Sequence, residues 1–74
     1  MPSVDHKIAL DTLEEIVTND GCDAKNRLIA ISGLMMEGDE RQKLKSIMIC
    51  REIARTGTDD EARLTACKIL LDQP

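Results

Sequence analysis

Not one phenylalanine, tyrosine or tryptophan occurs in this chain of 74 residues. That absence excludes base stacking on aromatic platforms, aromatic cages for cations, and the aromatic anchors that dominate many interfaces. Any core must be assembled from Leu, Ile, Val, Met, Ala and Cys. Positive charge is also scarce: Lys and Arg number 10 against 14 Asp and Glu, a net charge of -4. This balance argues against general nucleic-acid affinity, which comes mainly from cationic side chains displacing counterions from phosphates. No apolar run approaches the ~20 residues of a membrane span. The longest, around Leu28 to Met36, is broken by Ser32 and Gly33. Asp5, His6, Lys7 and Asp11 interrupt the start, so no secretory leader is expected. The three cysteines, Cys22, Cys50 and Cys67, are odd in number and widely spaced, which is no disulfide framework. Cys50 and Cys67 fall in apolar helical stretches and are expected to be buried, whereas Cys22 is expected to be an exposed, inert thiol. These features together predict a cytoplasmic protein in a reducing compartment, with no membrane partner.

What is present is helical periodicity. Apolar residues recur at intervals of three and four throughout, and nowhere do β-branched and polar residues alternate for the length of a strand. The predicted fold is all-α, with four short helices at about 4–18, 24–36, 40–55 and 59–71 in a single domain. Ser3 or Asp5 caps the first, and Asn19, Asp20 and Gly21 end it. Asp23 caps the second and Gly38 stops it. Asp39 with Gln42 has the form of a capping box for the third helix, and Thr58 with Glu61 has that form for the fourth, which precedes Pro74. The connections are short, so sequential helices lie antiparallel as two helical hairpins.

The two halves are alike. Glu15-Ile16 aligns with Glu52-Ile53 at an offset of 37, and Arg27-Leu28, Ala30 and Leu34 align with Arg63-Leu64, Ala66 and Leu70 at an offset of 36. The pattern resembles a two-unit HEAT-like helical-hairpin repeat, in which each unit buries its apolar face on the next. The resemblance spans most of the chain, rests on ordinary residues, and implies a binding surface and nothing more specific. A closed small bundle fits the same helices.

Chemistry is hard to place. His6 is the single histidine and no cysteine stands at a zinc-site spacing from it. Glu14-Glu15 and Asp59-Asp60 are carboxylate pairs of the kind that usually line a solvated helix surface. No nucleophile and base, phosphate-cradling glycine loop or EF-hand spacing is found. The sequence therefore predicts no catalytic residue, no metal and no cofactor.

Helices two and three carry more apolar surface than one neighbour covers. Methionine is a flexible filler suited to adaptable surfaces. Helix three is also locally basic, with Arg41, Lys43, Lys45, Arg51 and Arg55. The residues expected at a protein interface are Met35, Met36, Lys45, Met48, Ile49, Arg51 and Arg55. The expected function is a non-enzymatic protein–protein interaction module, an adaptor, inhibitor or regulator of the size seen in phage- or plasmid-borne proteins, binding another protein or itself as a homodimer. The alternative is a dimeric nucleic-acid-binding regulator that reads duplex DNA with basic helix three.

Overall fold

The computed structural model describes residues 3–73. Four helices account for the regular structure: α1 (Val4–Thr18), α2 (Ala24–Glu37), α3 (Glu40–Thr56) and α4 (Asp60–Leu71). The all-α fold expected from periodicity is therefore what forms, and each boundary lies within one residue of its expected place. Pro74 lies outside the described residues.

Side-chain caps set most of these boundaries. Ser3, rather than Asp5, caps α1, its hydroxyl accepting from the His6 amide at 3.1 Å. At α3 the capping box is complete: the Asp39 carboxylate accepts from the Gln42 amide at 2.8 Å, and the Gln42 side chain accepts from the Asp39 amide at 3.1 Å. The box expected from Thr58 and Glu61 does not form. Asp59 caps α4 instead, accepting from the Glu61 amide at 3.2 Å. A carboxylate offers two acceptor oxygens and a charge that suits the helix amino end, so it displaces the neighbouring hydroxyl. Gly38 and Gly57 close α2 and α3 without entering the left-handed region. Their need is space: an added Cβ would lie 2.5 Å from the Leu34 carbonyl oxygen at Gly38 and 2.6 Å from that of Ile53 at Gly57.

α1 packs on α2 and α3 on α4, forming two antiparallel hairpins, and α2 also touches both helices of the second hairpin. α1 and α4 do not meet. The molecule is consequently flat, with principal extents of 38 × 29 × 16 Å. Its core is Val17, Leu28, Ala30, Ile31, Leu34, Cys50, Ile53, Ala62 and Ala66. Four of these nine belong to α2. The second hairpin contributes mainly small side chains, which let α3 and α4 approach closely. Cys50 lies among them, its Sγ donating to the Ala66 carbonyl at 3.3 Å, and burial pushes its thiol pKa up. Cys67 corrects the expectation: it is exposed, because no layer lies beyond α4 to cover its side. Cys22 is half-buried at the α1–α2 corner, and not the fully exposed thiol expected.

The offset between the halves has a structural counterpart. Arg27 Nε donates to the Val17 carbonyl at 3.0 Å, and Arg63 Nε donates to the Ala54 carbonyl at 3.1 Å. The acceptors are 37 positions apart and the donors 36. Asp23 caps the Lys25 amide as Asp59 caps that of Glu61, again 36 apart. Lys25 and Glu61, at equivalent positions, form an ion pair at 3.2 Å between α2 and α4.

One core position runs against the rest. Ser46 is fully buried and its hydroxyl has no hydrogen-bond partner. An unsatisfied buried hydroxyl is destabilising by about 1–3 kcal/mol. Ser46→Ala should therefore raise stability by about 1 kcal/mol, read as a higher urea midpoint with an unchanged slope; a lower midpoint would show that the hydroxyl is satisfied in solution.

Candidate interaction surface

The orientation of α3 is set by one carboxylate on α1. Glu14 accepts from both terminal nitrogens of Arg41, at 2.8 and 2.9 Å, and from Gln42 Nε2 at 3.0 Å, with Lys45 Nζ 3.6 Å away. The Arg41 and Gln42 hydrogen bonds hold the Glu14 carboxyl well below its usual range, at about 2 against an ordinary 4.5. Gln42 is buried and completes the α3 capping box at the same time, so helix start and helix docking are tied together. The sequence reading missed this cluster. Its only advance signal was Glu14 on α1 facing a basic helix.

The side of α3 turned away from its buried residues Gln42, Ser46, Cys50 and Ile53 is left uncovered. Leu44, Met48, Arg51 and Arg55 follow one another at spacings of four, three and four, which places them in one stripe. Leu44 and Met48 are 61% and 58% exposed. On the adjoining helix Leu64, Cys67 and Leu71 form a second stripe, with Leu64 67% and Leu71 83% exposed. A cleft lined by Ala54, Asp60, Arg63, Leu64 and Cys67 lies between the two helices and contains none of the four α3 stripe residues. Each of the two helices thus carries its own exposed apolar side chains, and Arg51 and Arg55 continue the stripe on α3.

The internal offset sets α4 beside its counterpart α2. Leu64, Cys67 and Leu71 stand 36 positions after Leu28, Ile31 and Met35. In the first hairpin those positions are covered: Leu28 and Ile31 belong to the buried core and Met35 packs against it. The second hairpin carries apolar residues at the same places and has nothing over them. Leu44, Leu64 and Leu71 were not singled out from the sequence, although this offset would have found the last two.

The structure distributes the seven expected interface residues over different places. Met48, Arg51 and Arg55 share the α3 stripe. Ile49 and Met35 pack against the core, and Lys45 is half-buried beside Glu14. Met36 is exposed on α2, where it lines a separate depression with Ile69 and Gln73. Of the basic residues on α3, Arg41 and Lys45 are engaged by Glu14, while among the described residues Arg51 and Arg55 have no carboxylate at ion-pair distance.

Elsewhere, His6 shares a depression with Leu10, Asp11, Glu37 and Gln42. Among the described residues no three His, Cys, Asp or Glu side chains come together as a metal-holding group, and no helix is long and apolar enough to cross a membrane. Comparison with protein families, with characterised proteins and with solved structures finds no match.

The Glu14 cluster sets an acid dependence. A carboxylate whose folded pKa lies below its unfolded value binds fewer protons when folded, so its contribution is complete above about 4.5 and is lost as pH falls toward about 2. Glu14→Gln should lower the urea midpoint at neutral pH and flatten its decline between those two values. A decline as steep as in the parent protein would assign the acid sensitivity to other carboxylates.

Proposed function

We propose that this chain is a non-enzymatic protein–protein interaction module of the regulator or adaptor kind, built as a two-unit HEAT-like stack of helical hairpins. It binds through the outer face of its second hairpin. The observation that carries the reading is the exposed apolar row of Leu64, Cys67 and Leu71 on α4, at whose positions the first hairpin has buried or core-packed residues, with Leu44 and Met48 exposed on α3 beside it in sequence. The paired arginine-to-carbonyl hydrogen bonds at offsets of 37 and 36 support the stacked-repeat reading. Contiguous apolar surface on a small protein marks a binding site more often than isolated exposed residues do. Met48, Arg51 and Arg55 remain the α3 contribution, and Leu64 and Leu71 join them from α4.

A partner of this face meets leucine and methionine at the centre and arginine at the edge, an arrangement that favours another protein's apolar helix over a phosphate backbone. The nucleic-acid alternative rests on the remaining exposed cations, Arg51 and Arg55, since Arg41 and Lys45 are drawn toward Glu14.

The reading predicts that Met48→Asp and Leu64→Glu each weaken partner retention at least about tenfold, or about 1.4 kcal/mol, in pull-downs from the source cell. Ile29→Asp, on the exposed side of α2, should not. Helicity by circular dichroism serves as the folding control. Equal loss in all three variants, or none in any, would contradict the assignment, as would salt-sensitive binding to duplex DNA that Met48→Asp leaves intact.

A further inference from the structure

We propose that Cys50 and Cys67 are a redox pair, in which hydrogen peroxide oxidises Cys67 and Cys50 then closes a disulfide that ties α3 to α4. The pair stands on its own geometry and does not depend on what docks on the second hairpin.

Two contacts bring the thiols together. Cys50 Sγ donates to the Ala66 carbonyl across the α3–α4 contact at 3.3 Å, and Cys67 is the next residue of the chain. A carbonyl oxygen lies about 2.8 Å from the Cα of the residue that follows it, so Cys50 Sγ is at most about 6 Å from the Cys67 Cα. Cys67 in turn lines the cleft between the helices together with Ala54. Ala54 stands four positions after Cys50 and therefore one turn along the same face of α3. Both cysteines border one stretch of the α3–α4 contact, Cys50 at its buried centre and Cys67 at its open edge. Ala62 and Ala66, both buried, keep that contact narrow. Burial, and after it the charge of a Cys67 thiolate, raise the Cys50 pKa, so the two groups sense one another. Cys22 stands apart, since the depressions it lines contain neither of the other thiols.

Exposure divides the roles. Cys67 is open to solvent and Cys50 is fully buried, so peroxide meets Cys67 first. The Cys67 thiolate attacks one peroxide oxygen: an S–O bond forms, the O–O bond breaks, and the departing hydroxide takes a proton to become water. Cys67 is left as a sulfenic acid. Cys50 then attacks the Cys67 sulfur: the S–S bond forms, the S–O bond breaks, and the departing hydroxide takes the Cys50 proton. Two thiols and one peroxide thus become one disulfide and two waters. Closure needs α4 to shift over α3 by about 2 Å with rotation of the Cys67 side chain. α4 can yield in this way because it touches only α2 and α3. The bond removes Cys67 from the exposed row on α4 and joins positions 17 apart in the chain.

The test treats the full, reduced chain with one equivalent of hydrogen peroxide under native conditions, then counts alkylatable thiols after denaturation and maps tryptic peptides. Thiols should fall from three to one, with residues 46–51 linked to residues 64–68 and the species keeping the mass of one chain. The oxidised protein should show a higher urea midpoint, because a closed loop constrains the unfolded chain. Cys67→Ser, at an exposed position that leaves the core intact, should abolish the linkage, and Cys22→Ser should leave it unchanged. In Cys50→Ser, a dimedone adduct should accumulate on Cys67, with helicity by circular dichroism as the folding control. Linkage through Cys22, a Cys67–Cys67 bond between two chains, a sulfinic acid at Cys67 in place of the link, or three thiols surviving treatment each overturns the proposal.

Discussion

α2 and α3 each lie against all three other helices, and α2 carries the most core residues. Leu28, Ala30, Ile31 and Leu34 put four core residues on that single element, and Val17, Cys50, Ile53, Ala62 and Ala66 arrive from its neighbours. Because α1 and α4 sit apart and never touch, the interior is a thin seam along α2 within a molecule 16 Å thick. A seam of this kind covers one side of α3 and α4 and has no material for the other. The exposed side chains of the second hairpin follow from that geometry.

The rotation of α3 about its axis decides which residues that face contains. Apolar burial is non-directional, so Ile49 and Ile53 alone would tolerate a range of rotations. Glu14 removes the freedom by holding Arg41 with paired hydrogen bonds and Gln42 with a third. The same Gln42 completes the capping box that begins α3, so the position of the helix start and the direction of its outer stripe are set by one side chain. Exposed ion pairs contribute little to stability in general. The cluster holds α3 to α1 at Arg41, Gln42 and Lys45, while Cys50 and Ile53 turn inward and Leu44 and Met48 stay exposed.

The two hairpins are similar in sequence and unequal in role. Arg27 and Arg63 tie each hairpin's corner by the same hydrogen bond, and Asp23 and Asp59 begin α2 and α4 by the same cap. Yet Leu28 is buried and Leu64, its counterpart, is two-thirds exposed. The difference lies in neighbours, since the first hairpin has the second beside it and the second has open surface. Residues at corresponding positions take different environments when only one of them has a further element beside it.

Local chemistry made the helices legible. Spacings of three and four between apolar residues, acceptors at Ser3, Asp23 and Asp39, and glycines at Gly38 and Gly57 are short-range features, and each placed a boundary within one residue. Even the misread cap, Thr58 for Asp59, shifted α4 by a single position. Side assignment was less legible, as Cys67, Met35 and Ile49 show: all three lie on amphipathic helices, and periodicity reports that a stripe exists without reporting what lies over it. The sequence by itself determined four helices, their ends, and an internal offset between the hairpins. Tertiary structure alone decided that Cys50 is covered and Cys67 is bare, that Lys45 turns toward Glu14 while Arg51 does not, and that Leu64 is exposed where its counterpart Leu28 is buried. Burial is a property of pairs of elements, and a stripe on one helix carries no record of whether a second element arrives to cover it.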